Sequence, residues 1–184
     1  MGMKMTSTIT SVVLDILTFY FLQGTINKNM EEWIKIFANA NSGDKGVREE
    51  ASSIICKNIS DMSIDFLSVS TEILENEFFD YNIRMAASIY ISQFLSAERR
   101  RSRELEKFFK TLDSEFVEKL ENTIFGAVYS DTGTIRNECI RIMALLLYLR
   151  KSNIIEKVSN ILSHFDAAEE EAISVSLNML IEML

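Results

Sequence analysis

A short unit that recurs along the chain is the feature that most constrains how this sequence folds. An aspartate, an aliphatic residue, an arginine and a small residue keep the same offsets in Asp44–Ala51 and in Asp80–Ala87, which begins 36 residues later. Asp131–Cys139 repeats the unit with one inserted residue, and Asp166 begins a weaker copy that lacks the arginine. A recurring unit of about this length predicts a stack of similar supersecondary structures.

Composition and periodicity predict that these structures are helical. The chain has 184 residues with no proline and six glycines, and an interior proline would cost a helix ~3 kcal/mol. No stretch alternates between apolar and polar residues as a strand does. Apolar residues instead recur with the helical period on single stripes, as in Val47, Ala51, Ile54, Ile55 and Ile59, and in Phe116, Leu120, Ile124, Ala127 and Val128. The sequence therefore predicts an all-α fold.

Each element of the unit has a physical role in a helical hairpin. The aspartate accepts hydrogen bonds at the start of a helix, and the small residue lets two helices approach closely. Another amphipathic helix precedes each unit, so we predict four hairpins. Their first helices are expected at Met30–Ala40, Met62–Asn76, Ser114–Ser130 and Ile154–Phe165. Because one hairpin cannot bury its apolar face alone, we expect a right-handed α-solenoid of about four HEAT-like hairpins.

The predicted solenoid spans residues 30–184, with hairpins at about 30–60, 61–96, 113–151 and 154–184. An insert, 97–112, begins with the basic run Arg99–Arg103, which is either a localisation or phosphate-binding cluster or, as we prefer, a solvated connection. Residues 1–29 contain the apolar helix Ser11–Gln23, which either caps the solenoid or belongs to an extension. The apolar last helix, Glu170–Leu184, predicts that further repeats follow.

Charge and hydropathy argue against two classes of partner. The chain has 19 basic and 27 acidic side chains and a net charge of −8, which opposes binding to a nucleic-acid backbone. The longest apolar run, Val12–Leu22, is about half of the ~20 residues that cross a bilayer and contains Asp15. We therefore expect no nucleic-acid partner and no membrane span.

The sequence offers no recognisable catalytic, metal or cofactor site. Glycine-rich phosphate loops and nucleophile elbows are missing, and the chain has one histidine, His164, and two cysteines. We interpret His164, Cys56 and Cys139 as structural residues, with both cysteines in the core. We expect a non-enzymatic protein that needs no cofactor.

The order of the units resembles the N-terminal HEAT repeats of the importin-β (karyopherin-β) nuclear transport receptors. Asn82–Leu95 is similar to the inner helix of that family's second hairpin, and Lys107–Asp113 is similar to the short helix before its third. The irregular spacing of the aspartates at 44, 80, 131 and 166 follows the same order. Where the family usually has Lys-Asn, this chain has Ser92-Gln93, which removes a charge.

The resemblance implies a curved solenoid whose second helices, Asp44–Ile59, Asn82–Leu95, Thr134–Arg150 and Glu169–Leu184, line the concave side. In the family this region binds the small GTPase Ran in its GTP form and couples that binding to cargo release. Carried over by position, the contact candidates are Glu49, Ser53, Lys57, Arg84, Ser88, Ser92, Gln93, Asn137 and Arg141. Several of the arginines are alternatively structural, bonding helix ends between repeats.

The same resemblance implies a receptor that shuttles between cytoplasm and nucleus through the nuclear pore. Cargo, an importin-α-like adaptor and nucleoporins would bind mainly through further repeats. The alternative is a HEAT or armadillo scaffold of another pathway, such as a phosphatase subunit or a vesicle-coat or cytoskeletal adaptor. An unrelated helical enzyme, or a lipid-binding bundle that uses Val12–Leu22, is a third class.

Overall fold

The computed structural model describes residues 28–97, 102–131 and 133–150 and the isolated positions 159, 163, 166, 169, 173 and 174. This part of the chain contains helices and no strand, which confirms the prediction of an all-α fold. Its seven helices are α1 (Lys28–Ala40), α2 (Lys45–Ser60), α3 (Ile64–Glu75), α4 (Tyr81–Ala97), α5 (Ser102–Thr111), α6 (Ser114–Ser130) and α7 (Gly133–Arg150).

Neighbouring helices pack as stacked hairpins. α1 packs on α2, α3 on α4, and α6 on α7. The first helices of the hairpins, α1, α3 and α6, contact one another in succession, and so do the second helices, α2, α4 and α7. The described residues thus form two helical layers, while the handedness of the stack and the number of repeats stay predictions.

The ends of the predicted solenoid lie largely outside the described residues. Helix Ser11–Gln23 falls in the undescribed region 1–27, and only six positions of the fourth hairpin are described. One of them, Asp166, shows the predicted capping contact, because its carboxylate accepts a hydrogen bond from the backbone N–H of Glu169 at 2.9 Å.

Local capping explains where the helices begin. The Asp44 carboxylate accepts from the backbone N–H groups of Gly46 and Val47, and that of Asp80 accepts from Asn82. These contacts satisfy donors that a helix leaves unpaired in its first turn. The predicted role of the repeat aspartates is confirmed at these two positions.

An aromatic cluster joins the hairpins in the core. The ring centroid of Phe66 lies 5.0 Å from that of Trp33 and 6.2 Å from that of Phe94, so helices α1, α3 and α4 meet there. The small residues of the repeat, Ala51, Ala87 and Cys139, are buried, as predicted.

Helix α2 corrects two predictions about burial. Its Ala51, Ile55 and Ile59 are buried, but Val47 and Ile54 of the same predicted stripe are exposed, and so is Cys56, which we expected in the core. The hairpin α1–α2 is the first in the described stack, so α2 has fewer neighbouring helices than α4 and buries a narrower stripe.

The insert contains the short amphipathic helix α5. Leu105 and Phe109 of α5 are buried, and the Phe108 ring lies 5.6 Å from that of Phe94. The side of α5 that carries Glu106 and Lys107 is exposed. None of the helices in the described ranges is long and apolar enough to span a membrane.

Candidate functional site

The second helices carry all nine predicted contact residues, and α4 places three of them in the interior. Arg84, Ser88 and Ser92 are spaced four residues apart and share a buried side of α4. Helix α4 packs against α1, α2, α3 and α7, so it is enclosed on more sides than the other helices. These three side chains are therefore not accessible to a partner protein, and their assignment as contacts is corrected.

Arg84 connects two hairpins instead. Its Nε donates to the carbonyl oxygen of Leu74 near the end of α3 at 3.0 Å. Its Nη1 and Nη2 donate to the two carboxylate oxygens of Asp131, between α6 and α7, at 2.8 and 2.6 Å. Both side chains of this ion pair are about nine-tenths buried. A paired, bidentate geometry of this kind offsets much of the cost of burying the two charges.

The other repeat arginines make related contacts. Arg136 donates from Nε to the carbonyl oxygen of Asp131 at 2.7 Å and from Nη1 to the carboxylate of Glu169 at 3.3 Å. Arg48 donates to the carbonyl oxygen of Ser42 at 2.7 Å. Each arginine thus bonds the backbone that ends the preceding helix. Of the two alternatives that the sequence left open, the structural role applies to Arg84.

The remaining candidates are exposed and lie on three helices. On α2, Glu49, Ser53 and Lys57 follow one another at four-residue intervals, and Lys45 forms an ion pair with Glu49 at 3.6 Å. On α4, Gln93 is exposed; on α7, Asn137 and Arg141 are exposed. Arg141 donates to the carboxylate of Glu138 at 3.2 Å.

The accessible side of α4 carries residues that the sequence did not single out. Asn82 is exposed, and Met85 and Ile89 are half-buried, at the spacing that continues to Gln93. These positions follow the helical period. The apolar side chains of Met85 and Ile89, however, would predict core positions if α4 were considered alone. No signal within the sequence of α4 identifies them; the structure does so, because Met85 and Ile89 lie outside the buried row of Arg84, Ser88 and Ser92.

Burial determines the chemistry of Cys139. Burial raises the pKa of the Cys139 thiol far above its ordinary value, and the nearby Asp131 carboxylate adds to this effect, while Arg84 opposes it. Burial also raises the pKa of the Tyr90 hydroxyl, with a smaller contribution from Cys56. A thiol with a raised pKa is a poor nucleophile, so Cys139 has the chemistry of a core residue.

Metal-binding geometry does not occur in the described parts of the chain, where no group of three or more His, Cys, Asp or Glu side chains could hold an ion. His164 lies outside those parts. Comparison with protein-family models, with curated proteins and with solved structures finds no match for the chain.

Proposed function

We propose that this chain is a protein-binding helical-repeat module, and specifically the N-terminal part of an importin-β-like nuclear import receptor that binds the GTP form of Ran. The observation that carries the proposal is the layer of second helices, α2, α4 and α7, each of which keeps polar side chains accessible along one side. A broad helical layer of this kind is typical of repeat proteins that bind other proteins.

Two further features support the importin-β-like assignment. A short helix, α5, lies between the second and third hairpins, which is the position that the resemblance implies. Six of the nine candidate contacts are exposed: Glu49, Ser53, Lys57, Gln93, Asn137 and Arg141. In this proposal the GTPase contacts these six residues together with Met85 and Ile89. Binding of the GTPase and binding of cargo then weaken each other by the same factor. A receptor of this kind shuttles between cytoplasm and nucleus.

Titration calorimetry with Ran tests the proposal. The chain is titrated with Ran loaded with a non-hydrolysable GTP analogue and, separately, with Ran loaded with GDP. We expect binding to the GTP form and at least about tenfold weaker binding to the GDP form, which corresponds to ~1.4 kcal/mol. Equal affinity for the two forms, or no binding to either by the folded chain, would contradict it.

Single variants locate the surface. Arg141→Ala and Ile89→Ala are each expected to weaken binding about three- to tenfold, because arginine is enriched among the residues that dominate interface energies and Ile89 offers apolar area for burial. Glu106→Ala on the exposed side of α5 is the matched control and should bind as the unmodified chain does. Loss of binding by the control alone would place the interface elsewhere.

The second candidate function is a HEAT or armadillo scaffold of another pathway. The burial of Arg84, Ser88 and Ser92 favours it, because the helix that the resemblance turns toward the GTPase has lost three of its polar contacts. The same titration separates the two candidates, since a scaffold of another pathway gives no nucleotide-dependent binding to Ran.

A further inference from the structure

The basic run Arg99–Arg103 is the densest cationic segment of an acidic chain, and the proposed GTPase surface does not use it. Four of the 19 basic side chains lie within these five residues, whereas the whole chain has a net charge of −8. With the flanking Glu98 and Glu104, the segment has four arginines against two glutamates, a local net charge of +2. A partner that recognises this segment therefore presents an acidic surface to it.

The run encloses a single hydroxyl group at a fixed place among the arginines. Ser102 follows Arg99, Arg100 and Arg101 and precedes Arg103. It is the only serine or threonine of the chain with basic residues at both the second and the third position before it. A solvated connection requires charge but no such order, whereas an arginine-directed protein kinase recognises charge at fixed offsets from the acceptor hydroxyl.

The structure places this serine at the start of a helix that packs on the second hairpin. Ser102 is the first residue of α5. Further along the helix, Leu105 and Phe109 are buried, and the Phe108 ring lies 5.6 Å from that of Phe94. The described apolar contacts of α5 begin at Leu105, so a kinase can engage the start of the helix without displacing them.

From these observations we infer that Ser102 is a phosphorylation site for an arginine-directed serine kinase. In the reaction the Ser102 hydroxyl oxygen attacks the γ-phosphorus of the ATP that the kinase binds. A new oxygen–phosphorus bond forms, the bond from that phosphorus to the β–γ bridging oxygen breaks, and ADP leaves. The hydroxyl proton passes to the catalytic carboxylate of the kinase. Arg99 and Arg100 pair with carboxylates of the kinase and so position the hydroxyl at its active site.

A phosphate at this position also stabilises the helix that it begins. It carries about −1.5 to −2 charges at neutral pH, which offsets the local charge of +2. The first backbone N–H groups of a helix have no partner within it, and the helix dipole favours an anion there. Because α5 has ten residues, fewer than the ~12–15 that an isolated helix needs, its stability depends on such contacts at its ends. We therefore expect phosphorylation to protect α5 against local unfolding.

Phosphate transfer to the folded full chain tests the inference. The chain is incubated with ATP and the catalytic subunit of the cyclic-AMP-dependent protein kinase, an arginine-directed probe, and mass spectrometry counts and locates the phosphate. We expect one phosphate per chain, on Ser102. Ser102→Ala should abolish it, whereas Ser102→Thr keeps a hydroxyl and should still accept one. A kinase that selects acidic flanking residues is the negative control and should leave Ser102 unmodified.

The arginines allow a matched comparison within the same run. Arg99→Gln and Arg100→Gln should each lower the kcat/KM of the kinase for the chain at least about tenfold, because each removes a charge that the kinase recognises. Arg103→Gln removes the same charge on the other side of the serine and should change kcat/KM less than about threefold. Hydrogen exchange measures the effect on the fold. Amides of α5 should exchange more slowly in the phosphorylated chain, and those of α7 should be unchanged.

Four results would overturn the inference. One is the absence of phosphate on the folded chain, and another is phosphate that persists in Ser102→Ala. The third is an equal loss in Arg99→Gln and Arg103→Gln, which would indicate a general cationic cluster for localisation or anion binding. The fourth, unchanged exchange in α5, would overturn the effect on the helix. None of these results bears on Ran binding, because the inference does not rest on it and uses no variant of the second helices.

Discussion

At the scale of single residues, some polar side chains that we expected on the surface are buried. Arg84 is buried together with Ser88, whose hydroxyl donates to the carbonyl oxygen of Met85 at 2.8 Å, so the helix backbone satisfies it locally. Arg84 in turn finds its partners in Leu74 and Asp131, which are 10 and 47 residues away. Partners at such separations cannot be inferred from the sequence of α4 alone.

Breaking this buried pair should destabilise the fold strongly. Arg84→Met leaves the Asp131 carboxylate buried without its cation, and we expect a loss of ~3–5 kcal/mol in the free energy of unfolding, measured by urea denaturation. Arg141→Met, which breaks the exposed pair with Glu138, should cost at most ~1 kcal/mol. The double variant Arg84→Met, Asp131→Leu should recover part of the loss. A double variant as unstable as the sum of its two single changes would contradict the pairing.

The two cysteines should react differently with a thiol reagent. Cys56 is exposed, whereas Cys139 is fully buried and its pKa is raised, so little thiolate forms at neutral pH. We expect an Ellman titration of the native chain to count about one thiol, and the denatured chain to count two. Cys56→Ser should abolish the native signal, and a remaining native signal would contradict the burial of Cys139.

At the scale of helices and turns, two glycines have opposite roles. Gly126 lies within α6 in open space, while Gly133 begins α7 with φ +59°. A Cβ atom at Gly133 would also meet the Tyr81 hydroxyl at 3.3 Å. The first glycine weakens its helix, and the second permits the turn between α6 and α7.

Alanine substitutions at these glycines should therefore shift stability in opposite directions. Gly126→Ala is expected to raise the free energy of unfolding by ~0.5–1 kcal/mol. Gly133→Ala is expected to lower it by ~1–2 kcal/mol, because a non-glycine residue is strained at positive φ. Thermal denaturation followed by circular dichroism measures both. A shift of the same sign in the two variants would contradict this reading of the turn.

The helices themselves were predictable, because their signals are local. The ends of α6 were predicted at Ser114 and Ser130 and are found there, and the Asp113 side chain caps its start. Asp44 and Asp80 acted as predicted for the same reason, since their partners lie within three residues. The buried stripe predicted on α2 was only partly correct, because the width of the buried face depends on how many helices pack against α2.

At the scale of the whole molecule, the hairpins share one core. Phe66 of α3 touches the rings of Trp33 in α1 and Phe94 in α4, and α4 continues the contact to α7. The central position of α4 decided which predicted contacts were accessible. A pattern on one helix does not reveal that its neighbours flank it on both sides, so this part of the candidate surface could not be predicted.

A substitution at the aromatic cluster around Phe66 should destabilise helices outside the hairpin that contains it. Phe66→Ala is expected to cost ~3–5 kcal/mol in the free energy of unfolding, because it leaves a cavity among packed rings. Hydrogen exchange should accelerate in α1 and α4 as well as in α3. Val69→Ala, on the same helix, is the control and should cost less. Faster exchange confined to α3 would indicate that the hairpins unfold independently.

Two of the repeat arginines, Arg84 and Arg136, also pair with an acidic side chain that follows them in the chain. Arg84 of the second hairpin forms a buried pair with Asp131, between the two helices of the next hairpin, and Arg136 forms a more exposed pair with Glu169. The third hairpin therefore accepts a contact from the preceding hairpin through Asp131 and donates one to the following segment through Arg136, which is the asymmetry of head-to-tail stacking. The insert that contains α5 lies between the second and third hairpins, and the Arg84–Asp131 pair still joins the two. Duplication of the third hairpin would repeat this pairing, whereas inversion of that hairpin would leave the buried Arg84 guanidinium without its carboxylate.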